Sequence, residues 1–489
     1  MVNCLFYSML LLPLLSPTIP LFFPFKEPKA LNRYIFAATL ITSALVFLWL
    51  FTGVQEEIVL LVLDEKLSLA FRTDALTAVF ALIVAVLWPI AVLYAFEYMS
   101  HYRQNNTFFG FYTLTYAAVL GIAFAGNYFT LYLFYELLTL CTLPLVIYGM
   151  DSAAKYAGKK YIIFSMSGAA LGFISMLLIA DGGSLIYQFG GSISSGSREY
   201  WQLVFILAFL GFGVKAAVFP LHSWLPSAGV APTPVTALLH AVAVVNSGVF
   251  AIMRLIYYSI GTELLAGSWA QFTAILLCCI TIVFGSLMSW RNRNLKRRLA
   301  YSTVSNLSYI LLAALAMNPA GLAASLLHMV VHSITKITLF FVAGTLLYVS
   351  HHRLKNVEDY EGFGRKMPGI FLCFTVAALA LTGIPPLPGF HSKWAVAMSA
   401  LSVPGPLGLL GPAALAVSAF LTAMYLLDVL IKAFAPLKGS CIQQLEEVPG
   451  PRIKLSLILL TSLTLILAFT SSRLHELLSA LIAAGSGGV

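Results

Sequence analysis

Charge is what this sequence has least of. Only 10% of its 489 residues are Asp, Glu, Lys or Arg, while 60% are hydrophobic. A soluble domain carries about 25% charged residues, so that class is excluded. Cysteine is sparse too. The six, Cys4, Cys141, Cys278, Cys279, Cys373 and Cys441, form no CxxC and fall mostly in apolar runs. They read as small core residues, which excludes a disulfide framework, a zinc site and Fe–S ligation. Alternating period-two segments do not dominate, which excludes a membrane β-barrel. No soluble domain interrupts the apolar runs, so no catalytic redox centre or metal site is expected in this chain, and any redox cofactor belongs to partners.

What is present is apolar length. Runs of about 20 residues, the length of a hydrocarbon-spanning helix, recur from Cys4 to Phe469, and about fourteen are counted. The expected fold is therefore an all-α polytopic membrane protein. The first run, NCLFYSMLLLPLLSPTIPLFFP, lacks a basic n-region and a small-residue cleavage site, so a membrane helix is expected there rather than a signal peptide.

The net charge of +9 is not a nucleic-acid signal, because the basic residues sort by connection. Odd-numbered connections hold twenty Lys and Arg, among them Lys26, Arg103, Lys160, Lys296, Arg298, Lys355, Lys438 and Arg452. Even-numbered ones hold four: Lys66, Arg72, Arg198 and Arg254. The asymmetry predicts the odd connections in the cytoplasm of a cell-membrane (inner-membrane) protein, with both termini outside. The alternating patch IVLLVLDEKLSLAF in the second connection reads as a hairpin or an amphipathic cap, and the tail after Ser471 as a short surface helix.

Two stretches break the helical pattern at depth. One is PLHSWLPSAGVAPTPVTALLHAV, with Pro220 and Pro226; the other is LTGIPPLPGFHSKW, with Pro385, Pro386 and Pro388. Proline removes a ladder hydrogen bond, and at membrane depth the gap is tolerated only against protein or a water-lined cavity. Interrupted helices in corresponding positions point to a transport site made from inverted repeats. These two lie about 165 residues apart, which suits two repeats of about five spans each. The chain is thereby divided into first helices (1–105), two five-helix repeats (106–260 and 261–436), and a last helix with its tail (437–489).

Few ionisable residues remain inside the spans: Glu136, Lys215, His240, His328, His332, Lys336 and Lys393, with Asp428 near a span's end. A charged side chain at mid-membrane costs at least about 2.5–3.5 kcal/mol, so each marks a candidate ion path. His328, His332 and Lys336 recur at i, i+4, i+8, on one helix face about 6 Å apart per step. A lone histidine there is adequately explained as a packed polar group; three on one stripe favour a proton relay. Neither cysteine nor carboxylate joins the stripe, which disfavours a metal. Glu136 is the obvious carboxylate for Lys215. If the two approach and separate, the lysine's proton affinity swings, whereas a static pair would only fix packing.

Four segments, PLHSWLPSAGVAPTPVTALLHA, LKRRLAYSTVSNLSYI, HMVVHSITKITLFFVAG and GIPPLPGFHSKW, closely resemble signatures of one family. These are the antiporter-like subunits shared by respiratory complex I, membrane-bound hydrogenases and Mrp-type Na⁺/H⁺ antiporters. The resemblance covers at least Leu131 to Trp394 and implies two inverted five-helix repeats, each with one broken helix. It places Glu136 at the fifth-helix glutamate, Lys215 at the seventh-helix lysine and His240 at the eighth-helix histidine. It places His328, His332 and Lys336 on the eleventh-helix stripe and Lys393 at the twelfth-helix position, which is glutamate in one branch. Asn246 stands where members often carry lysine, a departure that leaves more of the central relay to His240. The implied activity is proton translocation, Na⁺-coupled in some members, along a central hydrophilic axis. The implied partners are further antiporter-like membrane subunits within the lipid bilayer. If the complex is redox-linked, peripheral redox subunits carrying Fe–S clusters join them. A gradient-driven Mrp-type subunit and a stand-alone solute transporter are the alternatives. The length and Lys393 suit a hydrogenase-type or Mrp D-type subunit somewhat better than complex I itself.

Overall fold

The computed structural model describes residues 2–54, 57–102, 105–436 and 448–486. Arg103, Lys438 and Cys441, which enter the sequence reading, lie outside them. The chain opens with α1 (Val2–Leu15), α2 (Thr18–Phe22) and α3 (Pro28–Phe51), then β1 (Ile58–Asp64) and β2 (Leu67–Phe71). Next come α4 (Ala75–Tyr98), α5 (Asn105–Ala123), α6 (Tyr128–Val146), α7 (Ser152–Gly182) and α8 (Arg198–Gly213). After α8 follow α9 (Trp224–Ala228), α10 (Thr233–Ala241), α11 (Val244–Arg254) and α12 (Thr262–Leu265). The remainder is α13 (Trp269–Arg291), α14 (Leu295–Ala314), α15 (Pro319–Val349), α16 (Phe363–Lys366), α17 (Pro368–Thr382), α18 (Pro388–Leu401), α19 (Leu407–Phe434) and α20 (Pro451–Ser486).

Ten described helical stretches are long and apolar enough to cross a membrane, so the chain is a multi-pass helical membrane protein. Burial ranks them. The window of Thr233–Ile260 is wholly buried and that of Pro319–Val349 94% buried, against 28% for Pro451–Ala484. Hence α10, α11 and α15 form the centre, and α20 lies at the periphery. α15 packs against α4, α10, α14, α17, α18 and α20.

The patch in the second connection is a hairpin. β1 and β2 pair antiparallel, Asp64 opposite Leu67, and the Asn127 amide anchors the second strand through the Ser68 carbonyl at 2.8 Å. Two readings are corrected. The tail after Ser471 is no separate surface helix: no Gly or Pro interrupts 452–484, and α20 runs through it. Arg254 is not in a connection but ends α11, 1% exposed, because Asp74 from the start of α4 meets it there.

The basic loops gather at one end of the bundle. Asp151, Lys296, Arg297 and Lys355 line a common cavity of about 590 Å³ there. At the opposite end Asn318, Ser402 and Ser472 share a second cavity, of about 690 Å³.

Candidate functional site

The first break is a helix terminus folded into the core. Val218 N–H bonds the Gly213 carbonyl at 2.9 Å, and Ala217 N–H bonds Val214 at 3.1 Å. That pair is a Schellman ending, with Ala217 at φ +56° where glycine is usual. An L-residue there costs about 1–2 kcal/mol. Lys215 therefore lies in the turn that closes α8, where the helix dipole favours a cation. Its fully buried ammonium donates to the Tyr135 carbonyl of α6 and lies 3.3 Å from the centroid of the Tyr135 ring. Glu136, the next residue, keeps Oε1 buried with no hydrogen-bond partner. Among the described residues no carboxylate comes within the 4.0 Å of an ion pair with Lys215. Side chains reinforce the ending. Trp224 Nε1 donates to the Val214 carbonyl at 2.7 Å, and Thr281 Oγ1 accepts from Phe219 N–H at 3.0 Å. Pro220 precedes a single 3-10 turn, and Pro226 sits buried in α9.

A second interruption, between α10 and α11, has neither proline nor glycine. Val242 and Ala243 leave the helical region, and the Ala241 carbonyl accepts from Asn246 Nδ2 at 2.9 Å. The same amide donates to Ser333 Oγ of α15, also at 2.9 Å. Asn246 thus stitches the gap to the central helix. His240 stands in the turn before it, fully buried, its ring 4.9 Å from Phe340 and both ring nitrogens without a well-aligned hydrogen bond.

On α15 the stripe faces inward as its spacing predicts. Lys336 donates to the Leu299 carbonyl at 3.1 Å and to Ser302 Oγ, both on α14. One turn before, neither ring nitrogen of His332 has a well-aligned hydrogen bond. The His328 ring lies 6.5 Å from that of His332, and its Nδ1 is 3.0 Å from Ser392 Oγ. Ser392 belongs to α18, beyond the third break. There α17 also closes in a Schellman ending, Ile384 N–H to Leu379 at 3.2 Å and Gly383 N–H to Ala380 at 3.1 Å, with Gly383 at φ +91°. Pro385 and Pro386 carry the chain across, and Pro388 opens α18. Lys393 reaches back to the freed Thr382 carbonyl at 3.1 Å and lies 5.4 Å from the centroid of the Tyr309 ring.

The structure therefore brings His328, His332 and Lys336 into one row that touches α14 and α18, and sets His240 on the neighbouring helix. Five ring nitrogens of His240, His328 and His332 are buried without a well-aligned hydrogen bond, the Leu225 backbone lying near His240 and the His240 backbone near His332. Each such group costs about 1–3 kcal/mol if left dry. An imidazole nitrogen with an open valence can take or give a proton.

Several buried charges escaped the sequence reading. Arg254 donates through both terminal nitrogens to Asp74, and to Thr77 Oγ1 at 2.9 Å, beneath the Tyr258 ring. Asp74 also caps α4 through Thr77 N–H, and an Asp three residues before Thr in an apolar run was the available signal. Lys296 donates to the Ala231 carbonyl at 2.8 Å, tying α14 to the link between α9 and α10. Asp428 pairs with Arg298 at 2.9 Å and Lys432 at 3.1 Å. Cys4, Cys141, Cys278, Cys279 and Cys373 are free thiols. Among the described residues no group of three or more His, Cys, Asp or Glu is placed to hold a metal ion.

Residues 125–422 match the family described as NADH:quinone oxidoreductase/Mrp antiporter, transmembrane. The chain belongs to this family. Residues 62–109 match a second description, NADH-ubiquinone oxidoreductase (complex I), chain 5 N-terminus. NADH-quinone oxidoreductase subunit L of Mycobacterium tuberculosis is 32% identical over 374 residues, 76% of this chain and 58% of that protein. Hydrogenase-4 component B of Escherichia coli is 31% identical over 438 residues, 84% of this chain and 64% of that protein. The chain thus spans under two thirds of the length of either relative. In fold, it resembles a subunit of the archaeal membrane-bound sulfane sulfur reductase, with a TM-score of 0.83 at 23% identity over 98% of this chain and 96% of that one.

Proposed function

We propose that this chain is the ion-translocating subunit of a membrane oxidoreductase related to complex I or to membrane-bound hydrogenases. It moves protons, Na⁺-coupled or not, through the buried row. The observation that carries the reading is the set of imidazoles with open ring nitrogens, His240, His332 and His328, in a core whose two further lysines, Lys215 and Lys393, each stand beside a broken helix. Protons pass by way of Lys215, His240 and the His328–Lys336 stripe and leave near Lys393. Glu136 approaches and withdraws from Lys215, coupling the subunit to its neighbours. Family membership supports the reading, as does relatedness to NADH-quinone oxidoreductase subunit L and hydrogenase-4 component B.

The finer architecture belongs to the same proposal. Adding α5, the α8–α9 pair, α14 and the α17–α18 pair to the ten apolar stretches makes fourteen spans. Residues 106–260 and 261–436 then form two inverted repeats between the first helices (1–105) and the last (437–489). The matching Schellman endings at Ala217 and Gly383 support that symmetry. The basic end faces the cytoplasm, in a cell membrane. Partners are other membrane subunits, antiporter-like ones among them, and peripheral redox subunits that hold the Fe–S clusters.

The decisive experiment is Lys215→Ala in the assembled complex, with ion movement followed in sealed membrane vesicles. Abolished movement with normal assembly is expected, and undiminished movement rejects the relay. A second reading, a gradient-driven Mrp-type antiporter subunit, is favoured by the family description itself, which names both. The visible spectrum of the purified complex, before and after dithionite, separates the two. A band near about 400 nm that bleaches belongs to thiolate-ligated clusters in partners, and a colourless complex of several subunits supports the antiporter.

A further inference from the structure

The cavity at the end opposite the basic loops has titratable walls that the relay does not use. It measures about 690 Å³ and lies between α18, the start of α15 and α20. His391, Ala395 and Ser399 of α18 and Ser402 just past its end line it at helical spacing, with Trp394 and Met398 beside them. His391 lies about 16 Å along the helix from Ser402, which is about half of the roughly 30 Å hydrocarbon thickness. The cavity therefore runs from the membrane surface to mid-depth.

Its floor adjoins the row. Leu327 and His391 line it, and they are the sequence neighbours of His328 and Ser392, which bond each other at 3.0 Å. Its mouth is furnished by α20. His475 lies about 34 Å along that helix from Arg452, a full membrane crossing, and Glu476 follows it. His475 Nε2 is buried without a partner. Three groups that exchange protons thus border one cavity, one at its floor and two at its mouth.

We propose that this cavity is the aqueous mouth of the proton path, and that His391 and then His475 with Glu476 hand protons between the His328–Lys393 region and bulk water. The inference rests on the relay reading above. It gives α20, otherwise peripheral, a part in ion movement. No electrons are exchanged: each imidazole takes a proton on one ring nitrogen and yields one from the other. His328 and Lys393 are the sequence neighbours of lining residues at the floor, and Glu476 lines the mouth with His475, Arg473 lying between Ser472 and His475 in sequence.

Two measurements on the assembled complex in sealed vesicles test it. In the first, Ala395→Cys, Ser399→Cys and Ser402→Cys are treated with a membrane-impermeant maleimide from either side, against the parent with its exposed Cys4. Labelling at all three from the side opposite the basic loops is expected. Labelling at 402 alone overturns the aqueous mouth. In the second, the double variant His391→Gln/His475→Gln is compared with Lys215→Ala. A severalfold slower ion movement is expected, together with a flattened dependence on the pH of the medium at that mouth, which lost packing alone would not produce. If the double variant behaves as the parent while Lys215→Ala is inactive, the relay stands and this mouth is wrong. If Lys215→Ala is itself active, both fall.

Discussion

The two Schellman endings put the same backbone turn to different use. At the first, Ala217 takes the left-handed position and Lys215, in the turn before it, is sealed between α6 and α11. At the second, Gly383 takes that position and Lys393 stands one and a half turns into the next helix, two residues after His391, which lines the second cavity. One lysine belongs to the half-helix that ends; the other reaches back to the carbonyl that the ending frees. The comparison teaches that equivalent breaks support a closed site and an open one, according to what packs over them.

The closed half is the one to attack first. Arg254 closes the far end of α11 against Asp74, so Asp74→Ala leaves a buried guanidinium unpaired at a cost of about 3–5 kcal/mol. A lowered thermal midpoint of the detergent-purified complex reports it, and an unchanged midpoint means that water already reaches Arg254. Gly248→Ala comes next. A methyl there meets the Ala216 nitrogen at 2.5 Å and the Lys215 carbonyl carbon at 2.8 Å, and overpacking of that kind costs about 1–3 kcal/mol. Because the strain falls on the lysine's own backbone, ion movement should decline more than stability does.

Exchanging the two left-handed residues sharpens the comparison further. Gly383→Ala should destabilise by about 1–2 kcal/mol and Ala217→Gly should stabilise by somewhat less, measured as opposite shifts in the same melt. Shifts of the same sign would mean that the two turns are not equivalent. The smallest effect belongs to the open half. Ser392→Ala removes one hydrogen bond to His328, worth about 0.5–1.5 kcal/mol, and should slow ion movement with little loss of stability.

Much of this was legible in the residues. The proline clusters announced the first and third breaks, and spacing alone put His328, His332 and Lys336 on one face. The hairpin after α3 was one of two readings of its alternating patch. The break between α10 and α11 was not legible, since Val242 and Ala243 carry no helix-breaking chemistry; Asn246 makes it affordable by satisfying a carbonyl from a distance. Arg254 was read as a loop residue because its partner lies 180 positions away in sequence. That Asp428 pairs with Arg298, 130 positions away, was not legible either.

The sequence by itself determined that this chain is a multi-pass helical membrane protein with rare charges held inside and helices broken at proline. Those properties follow from hydrocarbon thickness and from local hydrogen bonding, which depend on neighbouring residues only. The tertiary structure decided which charges are spoken for and which stand open. It gave Lys215 a carbonyl and an aromatic face, left the ring nitrogens of His240 and His332 without well-aligned hydrogen bonds, and set His391 and His475 on one cavity. Pairing at membrane depth is settled by whichever distant helix brings a polar atom within about 3 Å, and no local pattern encodes that.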